Sequence, residues 1–229
     1  GRPSRPDAPL IDEARAGAPF AVTQTSNMIQ TNIDKALLLS FDKDADAGIY
    51  GAGFRLTSYA MMPVMAVLSA TYPEFFRRGR VGLATAMQYS RSLRRPLLFL
   101  AAAAGIGVAL LSPLAAALFG EEFAGVVPVA YALAAYPLVK AIQALWGDVL
   151  TGTGHQRYRS RAQVFTAGLN VALNLSLIPG YGWQGALVAT YISEAVLIGL
   201  FVIRVRQLYR ARDRGANRLL APDADGQVG

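Results

Sequence analysis

Stretches of about twenty residues nearly free of charge alternate along the chain with short connectors that concentrate it. A helix rises 1.5 Å per residue, so about 20 apolar residues cross the roughly 30 Å hydrocarbon layer of a bilayer. Six stretches of this kind predict helices over 18–41, 47–75, 95–119, 123–151, 160–178 and 183–205. The third carries no charge from Pro96 to Gly120, and its "LLFLAAAAGIGVALLSPLAAALF" lacks the polar stripe that a helix of a water-soluble bundle needs. The pattern therefore predicts an all-α, polytopic membrane protein whose six transmembrane helices form one bundle. Between the last two helices, "IPGYGWQG" supplies Pro179 and three glycines for a tight turn.

Composition sharpens this picture. The 229 residues are 53% hydrophobic yet carry a net charge of +7, two facts that agree when charge is kept out of the hydrocarbon and gathered in the connectors. In chain order the connectors "DKDADAG", "RRGRVGLATAMQYSRSLRR", "FGEEFAG", "GTGHQRYRSR", "IPGYGWQG" and "RVRQLYRARDRGANR" are acidic, basic, acidic, basic, neutral and basic. Arg and Lys mark the cytoplasmic side. The connectors at 76–95 and 152–161 and the tail after 203 are thus expected in the cytoplasm, and an even number of spans brings the amino end there too. The expectation is a multi-pass membrane protein with both termini cytoplasmic. Residues 1–17 read as a linker, 18–206 as the bundle, and 207–229 as a basic and then disordered tail. The start of the chain shows no basic n-region followed by a short apolar run, so no cleavable signal peptide is expected.

Several chemistries drop out. Without cysteine there is no disulfide, thiolate metal site or cysteine nucleophile, and His155 is the single histidine. "DKDADAG" sets Asp42, Asp44 and Asp46 at alternate positions like the opening of a calcium loop. Ala47 then stands where that loop needs Gly, and Gly53 where it needs a bidentate Glu. A turn capping the following helix is the expectation instead. No phosphate-binding loop, dinucleotide fingerprint or zinc helix is present. We expect no catalytic residue, metal or cofactor, no nucleic-acid partner, and no enzyme.

What remains are charges inside the predicted spans: Asp34, Lys35, Arg55, Lys140, Asp148 and Glu194. Each costs roughly 2.5–3.5 kcal/mol at a bilayer centre, so each should face the bundle interior or water. The first hairpin turns near residues 44 and 45, which sets Asp34 level with Arg55 and pairs them. Lys35 points about 100° away from Asp34 and either lines a cavity or reaches for the headgroups. The last hairpin sets Glu194 level with Asn170, one turn from Asn174. These three form an ion-coupling site or a polar packing contact between helices. Lys140 meets an anionic phosphate or extends to the inner interface.

"NIDKALLLSF…AGIYGAGFRL", "LFGEEFAGVVPVAYALA", "LTGTGHQRYR" and "LNLSLIPGYGWQGALVATYISE" together resemble the carboxyl-terminal half of bacterial polysaccharide flippases, the O-antigen and exopolysaccharide transporters of the multidrug and oligosaccharidyl-lipid exporter superfamily. The likeness covers about residues 20–205. It implies half of a twelve- to fourteen-helix protein, whose two bundles flank a solvent-filled cavity and move lipid-diphosphate-linked oligosaccharides across the membrane by alternating access. The location it implies is the bacterial inner membrane. Implied partners are the bilayer, the lipid-linked oligosaccharide and an amino-terminal six-helix half absent from this chain. The resemblance further implies a cationic cavity lining for the diphosphate, for which Lys35, Arg55 and Lys140 are the candidates. Drug or cation antiport leaning on Asp34 and Glu194 is the alternative within the superfamily. A membrane enzyme or scaffold of polysaccharide assembly is the alternative outside it.

Overall fold

In the computed structural model the described residues are 32–119 and 124–220, together with Ala21, Thr25 and Met28. The expected linker 1–17 and the centre of the acidic "FGEEFAG" connector lie outside them. Helix α1 covers 32–40, and a turn with Asp42 at φ 56° leads into α2 (Asp44–Ala60). Met61 interrupts the helix, which resumes as α3 (Met62–Val81) with Pro63 in its first turn, where the missing N–H is no loss. A single residue, Gly82, separates α3 from α4 (Leu83–Phe119). Helix α5 (Val126–Leu133) leads through two residues into α6 (Tyr136–Gly152), and α7 (Gln156–Leu220) completes the chain. No strand occurs among the described residues.

Helix α7 is two arms. Gly182, at φ 55° and ψ −134°, is its one non-helical residue. The arms fold back on each other: Tyr158 on the first donates its hydroxyl to the Leu200 carbonyl on the second at 3.2 Å, and the Arg204 guanidinium lies 5.3 Å over the Tyr158 ring. Glycine reaches this backbone conformation without steric cost. Space also demands it, because a Cβ at Gly182 would run into the Asp46 carboxylate. That carboxylate accepts the Trp183 backbone N–H at 3.1 Å, capping the second arm from a distant part of the chain. The acidic turn therefore differs from its expected role: α2 has no side-chain cap of its own, and Asp46 serves another helix.

Two boundaries move outward from the sequence pattern. The stretch 76–95, expected as a connector, is helical except at Gly82, and α7 continues through the basic tail to Leu220. Hydropathy marks where a helix enters hydrocarbon, not where it ends. Arg, Ala, Leu and Gln are all good helix formers in water, so nothing but glycine stops these helices at the charged residues.

The core divides into two apolar clusters. One gathers Val64, Leu68, Phe75, Leu97, Leu145 and Phe201 among others, from α3, α4, α6 and the far end of α7. The other gathers Leu38, Tyr50, Phe54, Val129, Leu133 and Ile178, around α1, α2, α5 and the α7 turn. Helix α6 is the hub, packed against α3, α4 and α7. It meets α3 at backbone contact: a Cβ at Gly152 would strike the Phe75 carbonyl, and one at Gly79 would strike the Gly152 carbonyl. Small residues that let helix backbones touch are the usual packing device where lipid replaces water.

Three helical stretches are long and apolar enough to cross a membrane: Leu83–Leu114, Val126–Gly152 and Gln156–Ala211. Their outer surfaces expose Phe99, Ile106, Leu110 and Phe165. An apolar exterior of this extent has the character of a multi-pass membrane protein. Replacing Gly152 by Val should overpack the α3–α6 contact by about 1–3 kcal/mol and lower the melting temperature of the detergent-solubilised protein. Gly168→Ala, where no atom lies within 4 Å of the added carbon, should leave it unchanged or raise it. Equal melting temperatures for the two variants would refute the backbone contact.

Candidate functional site

Besides the two apolar clusters the interior holds a set of buried polar groups, the polar layer, drawn from α1, α2, α6 and both arms of α7. Asp34 is fully buried. Its Oδ2 accepts the Tyr50 hydroxyl at 2.8 Å and the Thr190 hydroxyl at 3.3 Å, joining α1, α2 and the second arm of α7. Its Oδ1 has no hydrogen-bond partner among the described residues. Nearby in the layer, Lys140 Nζ on α6 donates to Glu194 Oε1 on α7 at 2.9 Å, with the glutamate side chain 1% exposed. Asn174 donates to Asn170 at 3.0 Å, both fully buried, and Asn170 Nδ2 and Asn174 Oδ1 have no hydrogen-bond partner among the described residues. Unpaired buried amide groups each cost about 1–3 kcal/mol, so these atoms are polar capacity that the described residues leave unused.

Beside the layer, α1 and α2 enclose an open groove of about 680 Å³, lined by Asn32, Lys35, Asp44, Gly48, Gly51 and Arg55 among others. Lys35 and Asp34 are adjacent in sequence but diverge as helical neighbours must, one into the groove and one into the core. The Lys35 ammonium lies 3.5 Å from Asn32 Oδ1 and 4.8 Å over the Phe54 ring. Arg55 is exposed in the same groove. Small residues at 48, 51 and 52 keep the α2 wall low and leave the cations accessible. The groove volume falls within the roughly 300–1,000 Å³ of sites that enclose small ligands.

At the arginine-rich end, Asp148 and Arg159 form a second buried ion pair across the α6–α7 turn, at 2.9 Å. Arg159 also donates to Thr151 at 2.8 Å. Glu74 there pairs with Arg77 and Arg78. In the turn, burial and the nearby Arg204 push the His155 imidazole down from its ordinary value. Among the described residues no group of three or more His, Cys, Asp or Glu side chains is arranged to hold a metal ion.

The structure thus brings together some of the residues singled out by sequence and separates others. Lys35 and Arg55 share the groove. Asp34 does not pair with Arg55: its partners are hydroxyls, because it turns into the core while Arg55 faces out. Lys140 is not in the groove lining but reaches Glu194, with the Tyr136 ring 5.8 Å from its ammonium. Aromatic rings stand between, since Tyr136 packs 5.2 Å from Phe54, whose own ring lies under Lys35. Sequence reasoning missed Tyr50, Thr190 and the Asp148–Arg159 pair. The last was open to the depth argument applied to Asp34, since eleven residues across a short turn bring two helical positions level; the hydroxyls carry no comparable signal.

The fold is similar to about half of a solved transporter structure. A solved structure described as the outward-facing conformation of a multidrug resistance MATE family transporter of the MOP superfamily superposes with a TM-score of 0.74, covering 91% of this chain and 49% of that one at 14% identity. In sequence, the chain is similar to the probable low-salt glycan biosynthesis flippase Agl15 of Haloferax volcanii, 28% identical over 167 residues. That match covers 72% of this chain and 35% of the relative, so the chain spans well under two thirds of either protein's length. No protein-family model matches.

The Lys140–Glu194 pair makes a direct test of the layer. Removing one partner of a buried pair costs about 3–5 kcal/mol, whereas replacing both by apolar groups is near neutral. Lys140→Met should therefore lower the melting temperature sharply, and Lys140→Met with Glu194→Met should recover most of the loss. Additive losses would show that the two groups are not each other's counter-ions.

Proposed function

We propose that this chain forms one six-helix lobe of a flippase that carries a lipid-diphosphate-linked oligosaccharide across the cytoplasmic membrane. The observation that carries the reading is the α1–α2 groove, in which two cations, Lys35 and Arg55, stand accessible beside a polar layer. A glycan cannot cross about 30 Å of hydrocarbon unless polar groups shield it, and guanidinium and ammonium groups suit the diphosphate that anchors it. Likeness to a glycan biosynthesis flippase supports the substrate class. Six passages follow if α1, α2 with α3, α4, α5 with α6, and the two arms of α7 each cross once. Arginine-rich ends then lie in the cytoplasm with both termini. A second helical half completes the cavity, in keeping with the 49% coverage of the matched transporter.

In this reading Lys35 and Arg55 hold the diphosphate, and Lys140 acts one layer deeper through Glu194. Asp34, Asn170 and Asn174 provide the coupling site, their unpaired Oδ1, Nδ2 and Oδ1 atoms being the free capacity. The fold likeness to a multidrug transporter favours a second reading, drug or cation antiport through the same acid.

The readings separate in cells lacking the complete protein. Under flippase function, lipid-linked intermediates accumulate in the deletion strain. The complete protein clears them, and Lys35→Ala with Arg55→Ala restores the accumulation by about tenfold or more, the worth of a charge-assisted contact. Full clearance by the double variant would defeat the cationic-groove assignment. Drug efflux lost in Asp34→Asn, with no effect on intermediates, would establish the antiporter instead.

A further inference from the structure

Along α4 the inward side reads Met87, Ser90, Arg94, Leu97, Ala101 and Val108, a spacing of threes, fours and sevens that returns to one helix face. All of these are buried except Arg94. A guanidinium thus occupies a core position of the helix. It stays exposed because a cleft of about 180 Å³ opens beside it between α4 and α6, lined by Met87, Ser90, Arg91, Arg94, Leu145 and Trp146 among others. Ser90 is 8% exposed. Whereas Ser112, Ser160 and Ser193 bond back to their own helix, the Ser90 hydroxyl makes no hydrogen bond among the described residues. Neither Arg91 nor Arg94 joins an ion pair there, although the nearby Arg77 and Arg78 share Glu74.

Two guanidinium groups and the unpartnered hydroxyl of a mostly buried serine, lining one cleft without a carboxylate, fit an anion with several acceptor oxygens. Volume limits its size, since the cleft falls below the roughly 300–1,000 Å³ of sites that enclose drug-sized ligands. One phosphodiester suits it; an oligosaccharide does not. Surroundings indicate where the phosphate comes from. The outer side of α4 exposes Phe99, Ile106 and Leu110, which places hydrocarbon alongside. Trp146 is a residue type favoured at the headgroup level, and the cleft wall of Met87 and Leu145 is apolar.

We propose that the α4–α6 cleft binds the headgroup phosphate of an anionic phospholipid, with Arg91 and Arg94 as its charge partners and Ser90 donating its hydroxyl. The site shares no residue with the Lys35–Arg55 groove. It needs the chain to lie in a bilayer, but not the glycan to be the substrate. Basic pockets between helices at the cytoplasmic surface suit such lipids, and one held here would fasten α4 to the hub helix α6.

The full chain, purified in detergent, is titrated with phosphatidylglycerol, phosphatidylcholine or inorganic phosphate and read by native mass spectrometry and melting temperature. Phosphatidylglycerol should be retained and raise the melting temperature beyond the effect of phosphatidylcholine, and inorganic phosphate should not displace it. Arg94→Gln should weaken its retention about tenfold, the loss of one charge-assisted hydrogen bond. Arg95→Gln, which removes the same charge about 100° around the helix, should weaken it less than about twofold. Equal losses in the two variants would reduce the effect to general basicity and overturn the proposal, as would equal retention of the two lipids. Displacement by inorganic phosphate would make this a soluble-anion site and also overturn it. If Arg94→Gln fails to fold, Ser90→Ala and Arg91→Gln decide: weaker phosphatidylglycerol retention in both supports the site, and unchanged retention in both refutes it.

Discussion

A charge sealed inside an apolar bundle must find its partner within that bundle, and this requirement organises the middle of the molecule. Asp34 and Glu194 are shut away from water, and Lys140 is partly buried beside them. Each draws a partner from a different helix, hydroxyls on one oxygen of Asp34 and mutual pairing for the other two. The partners come from α1, α2, α6 and α7, so these contacts set how the helices stand relative to one another. Apolar packing alone permits sliding along a helix axis; a buried ion pair of 2.9 Å does not.

The hub position of α6 follows from the same need combined with glycine. Gly152 and Gly79 let α3 and α6 touch at their backbones, while Lys140 and Asp148 give α6 one ionic contact to each arm of α7, Glu194 on the second and Arg159 on the first. Helix α6 is thereby tied to α3 and to both arms of α7 by two different kinds of interaction. The α1–α2 groove lies off this rigid centre, with small residues on its α2 wall and its cations on the open side. That arrangement suits a surface meant to meet something outside the chain.

The all-helical, apolar character was legible in the hydropathy pattern because the bilayer length and the helical rise leave few alternatives, whereas of the six expected spans three described stretches are long and apolar enough to cross. Boundaries were less so: Arg91 and Arg94 read as connector residues, yet they continue α4 for more than three turns, since a charge ends the hydrocarbon and not the helix. The depth argument placed Asp34 and Arg55 at one level and still failed to pair them, because depth says nothing about which way a side chain faces. The resemblance grouped Lys35, Arg55 and Lys140 as cations of one cavity lining, and the coordinates keep the first two in one groove while Lys140 turns to Glu194. Tyr50 and Thr190 were invisible for a simpler reason. Hydroxyl-bearing residues are common in any helix, and a contact spanning 156 residues leaves no mark on local spacing.

The carboxylate of Asp46 reaches the start of the second arm of α7, 137 residues later in the chain. During synthesis the amino-terminal helices emerge and insert first, long before that arm exists. Asp34 can meet Tyr50 early, but the Asp46 contact and the Thr190 hydroxyl arrive only with the final hairpin. Assembly of this lobe therefore closes like a clasp, its earliest segments waiting in the membrane for its latest, and a nascent chain stopped before Gly182 would hold its first two helices without the fastening that completes them.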